Sequence, residues 1–324
     1  MPATKISPEV RNRRILVIGA GVNGSAVATR LQNAGLNVTV LARGSRYEEI
    51  RQEGIIIEDP FSRKRSITHV PAINCLGPDD LYDFVLVVVR KNQVADLLPV
   101  LSRNKSPNIV FMGNNLSGPE EFARVIDRGR IMLGTVIAGG RREGDVIRAM
   151  MPSRFASPFG EMDAKITSRL RQLVTTLKAG GIKAEISTNM IDHQMTHAAG
   201  VALIGPLTMK YHCDLHAFAR CTEDLRLLVD ARREAHRVLR ALGHKIVPAS
   251  EDAIRFIPGF LQVAGMRALL NSRLGEVGLA WHVSQAPDEM LQLAKELGAL
   301  ADQVDFPVPA IRRVLGQSQA AQTS

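Results

Sequence analysis

The chain has 324 residues, enough for two domains, and its 45% hydrophobic but only 4% aromatic content implies an aliphatic core. Its formal charge of +9 suits a protein that handles phosphates and carboxylates; with no zinc-finger, RRM or basic-zipper pattern, nucleic acid is not an expected partner. Cys75, Cys213 and Cys221 form no disulfide framework, the opening residues lack the apolar stretch of a signal peptide, and no apolar run reaches the roughly 18 residues of a membrane span, so a reducing, cytoplasmic location is expected.

Residues 1–12 carry no apolar pattern and are read as a flexible tail. Ile15-Leu16-Val17-Ile18 is a buried strand. It runs into Gly19-Ala20-Gly21-Val22-Asn23-Gly24, a G-x-G-x-x-G sequence, and then into a helix-compatible stretch from Ala26 to Asn33. Strand, glycine turn and helix in this order form a dinucleotide-binding βαβ unit of the Rossmann type. Gly19 permits the tight turn, Gly21 lets the backbone approach a pyrophosphate, and Gly24 lets the helix pack on the strand. The helix N-terminus then offers free N–H groups to the phosphates. Asn37 to Leu41 is the second strand. NAD enzymes usually carry a carboxylate at its tip for the ribose 2′-hydroxyl, whereas this chain reads Ala42-Arg43-Gly44-Ser45-Arg46. Arg43 can pair bidentately with a 2′-phosphate, so NADP(H) is the expected cofactor, with Arg46 a second candidate.

Further along, the basic cluster Arg63-Lys64-Arg65 precedes two more continuous apolar runs, Phe84 to Val89 and Asn108 to Met112, with a helical stretch from Val94 to Ser102 between them. Continuous runs indicate strands covered on both faces, as in a parallel sheet. Gly139 to Gly144 reads as a loop, Asp145-Val146-Ile147 and Ala184-Glu185-Ile186 as strands, and Ala164 to Lys178 as a helix stopped by Gly180-Gly181. From Asn189 strand signals nearly vanish. Thr222 can cap a helix with apolar positions Leu225, Leu228, Val229, Ala235, Val238, Leu239 and Leu242, stopped by Gly243. Leu291, Leu293, Leu297 and Leu300 mark another helix, and Gln317 to Ser324 is a polar tail. The expected fold is α/β: a doubly wound, Rossmann-type nucleotide domain over 13–188, then an all-helical substrate or dimerisation domain over 189–316.

His193 and His197 stand four apart, and His212, Cys213, His216 and Cys221 follow. Without an H-E-x-x-H or C-x-x-C arrangement they are read as polar helix positions and core thiols, and no metal is expected. Arg232, Arg233, Arg237 and Arg240 are read as a solvated helix face, and Glu234 beside them is given no role.

Taken together, these residues resemble the ketopantoate reductase (2-dehydropantoate 2-reductase) family. The likeness is carried by Ile15 to Gly21, Leu41-Ala42-Arg43-Gly44, Asp83 to Val89, Asn114, Ile204-Gly205-Pro206-Leu207-Thr208 and Phe306-Pro307-Val308-Pro309. The resemblance implies hydride transfer from NADPH to a 2-oxo acid, as in pantothenate biosynthesis. It places Arg90, followed by Lys91, where the family has a Lys near the cofactor. Asn114 falls beside the nicotinamide, with Asn115 and Ser284 as candidate substrate contacts. The family's catalytic Lys falls on His197, two helix Asn positions on Val201 and Gly205, and its late Glu on Glu289. An imidazolium can protonate a forming alkoxide, so His197 is the expected acid and Glu289 the residue that orients it. A homodimer is compatible with this reading. The alternative is a non-catalytic NADP(H)-binding sensor or regulator on the same fold.

Overall fold

The computed structural model describes residues 6–152 and 155–320. The chain divides into two compact units: residues 1–113 with 119–190, and residues 114–118 with 191–324.

The first unit contains twelve strands among its described residues: β1 (Ile15–Ile18), β2 (Val38–Leu41), β3 (Ile55–Glu58), β4 (Arg65–Thr68), β5 (Ala72–Ile73), β6 (Phe84–Val87), β7 (Ile109–Phe111), β8 (Ile131–Gly134), β9 (Gly139–Glu143), β10 (Val146–Met150), β11 (Ser157–Glu161) and β12 (Ala184–Ile186). Its helices are α1 (Pro8–Asn12), α2 (Val22–Asn33), α3 (Ser45–Glu53), α4 (Lys91–Arg103), α5 (Glu120–Ala123) and α6 (Ser168–Ala179). Eight strands form one sheet in the order β12-β11-β8-β7-β6-β1-β2-β5, parallel except where β11 runs antiparallel to β8. Every residue of β1 and β6 is buried, which is why neither strand contains a polar residue. From β1 the chain steps outward to β2, then returns to place β6 on the other side of β1. Such a reversal of strand order opens a crevice at the carboxyl ends of β1 and β6, where ligands of open α/β sheets bind.

Gly139 to Gly144, expected to be a loop, is instead strand β9. It pairs antiparallel with β10 from Gly139↔Met150 to Glu143↔Val146, in a second sheet of order β4-β3-β10-β9. Its glycines and charges hid a strand whose backbone lies against α2, with Gly140 close to Val22. The basic run Arg63-Lys64-Arg65 is partly spent inside this sheet: Arg63 and Arg65 meet the buried carboxylate of Glu58 at 3.1 and 2.7 Å.

The expected N-terminal tail contains α1, capped by Ser7 and anchored by buried Val10; residues 1–5 lie outside the described ones. Helix α6 starts later than the sequence pattern suggests because Ala164 takes a positive φ of 63° and Thr167 caps the helix.

The second unit has no strand among its described residues. Its helices are α7 (Met190–Lys210), α8 (Leu215–Arg220), α9 (Thr222–Ala241), α10 (Ala249–Ala253), α11 (Gly259–Leu270), α12 (Arg273–Gly275), α13 (Trp281–Gln285), α14 (Pro287–Ala301) and α15 (Pro309–Ala320). The apolar stripe of α9 is buried as its spacing requires, although Cys221 rather than Thr222 is the capping position. Of its arginines, Arg233 and Arg237 are exposed as expected, while all but Arg233 also make the contacts that follow. Arg232 pairs with Glu251, Arg240 with Asp252, and Arg237 lies 4.6 Å over the Phe306 ring. Glu234 accepts from the Ile311 N–H at 2.8 Å and so caps α15, which continues through Ala320 rather than ending at 316. Residues 321–324 lie outside the described ones. No helix among the described residues is long and apolar enough to cross a membrane.

Candidate functional site

Three neighbouring strands, β6, β1 and β2, deliver residues to one sheet edge. After β1, Gly19 adopts φ +107°, and a Cβ there would sit 2.3 Å from the Val88 carbonyl oxygen. Gly24 is packed so closely that a Cβ would lie 1.8 Å from the Gly19 oxygen. Gly21 differs: it is exposed, caps α2 in an extended conformation, and a Cβ built on it meets nothing within 4 Å. Two glycines are thus demanded by the fold, while the third keeps a space clear. The first turn of α2 holds no acidic residue, so its N–H groups and partial positive charge face no resident carboxylate of that helix. Ala20, Val22 and Asn23 are partly exposed around this space, whereas Gly24 is buried beneath it.

Arg43, just beyond β2, is exposed. Arg46 is buried. Its Nε donates to the Ala20 carbonyl at 3.3 Å and its Nη1 to Glu49 at 3.0 Å, while Nη2 is buried with no hydrogen-bond partner. Burial, opposed by Glu49, lowers its pKa from the usual guanidinium value. Arg142 of β9 also grips Glu49, at 2.8 and 3.0 Å. Arg46 therefore braces the glycine turn, and Arg43 is the arginine on the open side. Beyond β6, Arg90 is half-buried as the cap of α4. Its neighbour Lys91 is buried, paired with Glu121 and 5.6 Å from the Phe122 ring centre, so it is committed to the fold.

In the second unit, Asn114 donates from Nδ2 to Glu289 Oε1 at 3.2 Å. Glu289 is buried, 3% exposed, in the first turn of α14, where the helix dipole favours a carboxylate. The Leu116 N–H donates to Glu296 Oε2 at 3.0 Å, two turns along the same helix. Asn115, a candidate substrate contact, is buried; its amide donates to the Gly118 carbonyl and its oxygen accepts from the Ser117 N–H. These two bonds close the loop around Asn115. Ser284 is exposed on α13 and donates back to the Trp281 carbonyl. The α13 side chain that faces Glu289 is His282, with Nε2 3.7 Å from Oε2.

His197 lies on α7 with an exposed side chain. The protein packed around it, with the rings of His193 and His282, pushes its pKa down to about 4 against a smaller upward pull from Glu251. Val201 is partly exposed, and Gly205 is buried under Met290: a Cβ on Gly205 would lie 2.5 Å from its Sδ. The space beside Gly205 is filled by Met290. Among the described residues no group of three or more His, Cys, Asp or Glu could hold a metal ion.

The structure thus brings Glu289 to Asn114 and His282, and the sequence reading missed His282. Its signal was present: His282 and Glu289 are seven apart, two helical turns, although the helix breaks between them at Ala286.

Residues 15–157 match the family model of ketopantoate reductase PanE/ApbA. An uncharacterized oxidoreductase YkpB of Bacillus subtilis is 25% identical over 178 residues, 53% of this chain and 56% of that relative, so the match spans little more than half the relative's length. A 2-dehydropantoate 2-reductase of Archaeoglobus fulgidus is 22% identical over 75% of this chain and 79% of its own. Among solved structures, D-mandelate dehydrogenase in a ternary complex with NADH and anilino(oxo)acetate shares the fold, with a TM-score of 0.77 at 12% identity over 96% of this chain and 98% of that one. Over its N-terminal part the chain is thus similar to the ketopantoate reductase family.

Proposed function

We propose that this protein is a nicotinamide-dependent reductase of a 2-oxo acid, with NADP(H) preferred. The observation that carries the reading is the clear space beside Gly21 at the acid-free N-terminus of α2, with exposed Arg43 at the end of the adjacent strand. Ala20 to Asn23 would hold the pyrophosphate, Arg43 the 2′-phosphate, and Arg90 a further anionic group at the same sheet edge. Bound there, the reduced nicotinamide supplies a hydride to the carbonyl carbon. We assign Asn114, held by Glu289, to the nicotinamide and His197 to the oxo acid. We assign the nucleotide to residues 13–188 and the oxo acid to residues 189–316, together with Asn114.

The residues at 201 and 205 support a substrate with an apolar side chain. Val201 and Met290-covered Gly205 leave no amide there to bond a substrate hydroxyl. A site without such a partner gains nothing from a hydroxylated substrate and favours its apolar analogue. Ketopantoate and apolar 2-oxo acids are therefore separate arms of one test: oxidation of NADPH and NADH against a panel containing both. Turnover with NADPH and an apolar oxo acid supports the reading. Tight NADPH binding with no turnover on any member supports the sensor alternative.

A further inference from the structure

We propose that the outward half of α11, with Phe256 and Ile257 just before it, is a docking surface for a second copy of this chain. The surface lies wholly within the second unit, on residues that the nucleotide and oxo-acid readings do not use.

Helix α11 packs on α9 and α8, and its polarity is inverted. Its polar side chains are Gln262 and Arg267, and both turn inward. Gln262 is buried and donates to the Ile254 and Ile257 carbonyls at 3.0 and 2.9 Å. Arg267 donates to the Ala219 carbonyl at 3.0 Å and to the Thr222 hydroxyl at 2.8 Å. Phe260, Leu261, Ala264, Gly265, Ala268 and Leu269 are all exposed, and their spacing of three and four puts them on one continuous face. A surface helix of a soluble domain ordinarily shows the reverse, polar residues out and apolar residues in.

The size of this face fits a copy of itself. Phe256 and Phe260 are 75% and 72% exposed, and Leu261, Ile257 and Leu269 are 50%, 41% and 40% exposed. With ~200 Å² for a whole aromatic side chain and less for an aliphatic one, these five leave on the order of 500 Å² of apolar surface in water. A patch of that size is near the upper end for a monomer. Two copies joined through it bury about 1,000 Å², the area at which a specific interface begins. Every exposed residue from Phe256 to Asn271 is uncharged, which suits an apolar, self-complementary contact rather than a nucleic acid, an acidic peptide or an anionic headgroup.

The shape also matches itself. Bulky Phe260 and Leu261 lie one turn before small Ala264, Gly265 and Ala268. A Cβ on Gly265 would meet nothing within 4 Å, so its own chain does not demand glycine there, and glycine inside a helix weakens it. The missing side chain leaves a notch on the exposed face. Antiparallel two-fold pairing that seats Phe260 of one copy over Gly265 of the other also seats Leu261 over Ala264, and symmetry fills both notches at once.

Sedimentation velocity of the full-length protein from about 1 to 200 μM tests the proposal, because dimer formation follows mass action. The wild type is expected to pass from monomer to dimer with a Kd on the order of 10 μM, the weak end for an interface of this area. Phe260→Glu, a change at an exposed position, should raise that Kd at least about 30-fold. Gly265→Leu fills the notch and should raise it at least about tenfold. At about 1 μM, where the wild type is monomeric, Gly265→Leu should melt no lower than the wild type, since its side chain enters open space and leucine is the better helix former. The proposal is overturned if the wild type stays monomeric to 200 μM, or if both variants dimerise as the wild type does. It is also overturned if monomeric wild type, but not Phe260→Glu, sediments with phosphatidylcholine vesicles, which would make a lipid surface the occupant. Neither nucleotide nor oxo acid enters these measurements, so this surface and the reductase reading stand or fall separately.

Discussion

Replacing Gly21 with alanine separates the folding role of the glycine turn from its ligand role. Gly21 has φ −76° and ψ −167°, a conformation open to any L residue, and its missing Cβ would meet nothing within 4 Å. Losing glycine as a helix cap costs about 0.5 kcal/mol, and the reduced entropy of the unfolded chain returns a similar amount. The net change should lie within ~0.5 kcal/mol, or about 2 °C in Tm. The added methyl group stands where a pyrophosphate must come against the backbone, so NADPH affinity should fall at least tenfold, about 1.4 kcal/mol. Gly24→Ala is the contrasting variant. Its Cβ would sit 1.8 Å from the Gly19 oxygen, so the turn must move and stability should drop by about 3 kcal/mol. Thermal melts followed by circular dichroism give the first quantity, and titration of NADPH fluorescence the second. A folded Gly21→Ala protein that binds NADPH within threefold of the wild type would refute the pyrophosphate assignment. A Gly21→Ala protein that loses several kcal/mol of stability would refute the claim that this space is empty in the folded chain.

Arg43→Ala should weaken NADPH binding about 10- to 100-fold, the worth of a charge-assisted pair, while leaving NADH binding unchanged; equal losses for both would remove Arg43 from the 2′-phosphate role. Gly205→Asn should not restore a substrate contact but lower stability by roughly 1–3 kcal/mol in a chemical melt, because the new Cβ collides with buried Met290. The carboxyl of Glu251 is pulled down to about 2: burial opposes ionisation, but bonds to His236 and Arg232 outweigh it. A folded-state pKa below the unfolded value gives stability that is present above about pH 4.5 and lost as pH falls toward 2. Allowing for screening, that loss is about 2 kcal/mol, so the stability advantage of the wild type over Glu251→Gln should shrink by this amount as pH falls across this range.

The parts of the fold that were legible are those written in contiguous residues. Strand β1, the glycine turn and α2 follow one another without interruption, so apolar run, turn chemistry and helix period agree. Strand β9 was not legible. Gly139-Gly140-Arg141-Arg142-Glu143 has neither alternation nor apolar residues at its charged end, and only pairing with β10 makes it a strand. Burial likewise sorted residues that look alike in sequence. Arg43 and Arg46 are three apart, but one is exposed and the other is folded onto the Ala20 carbonyl. Asn114 and Asn115 are adjacent, but one reaches Glu289 and the other closes its own loop. His282 escaped notice because family positions pointed to His197, whereas the meeting of His282 and Glu289 depends on how α13 and α14 break at Ala286. Local pattern locates the nucleotide turn; the charge state of a histidine depends on neighbours brought together by folding.

The central claim is that the turn at Gly19–Gly24 with Arg43 serves NADPH-dependent reduction of an oxo acid. Following the nicotinamide absorbance of NADPH and of NADH while the protein is mixed with a panel of apolar 2-oxo acids and ketopantoate tests it most directly. The expected result is oxidation with at least one apolar 2-oxo acid, with kcat/KM at least about tenfold higher for NADPH than for NADH, a difference of ~1.4 kcal/mol. NADPH bound tightly but never oxidised, or NADH used in preference, would contradict it.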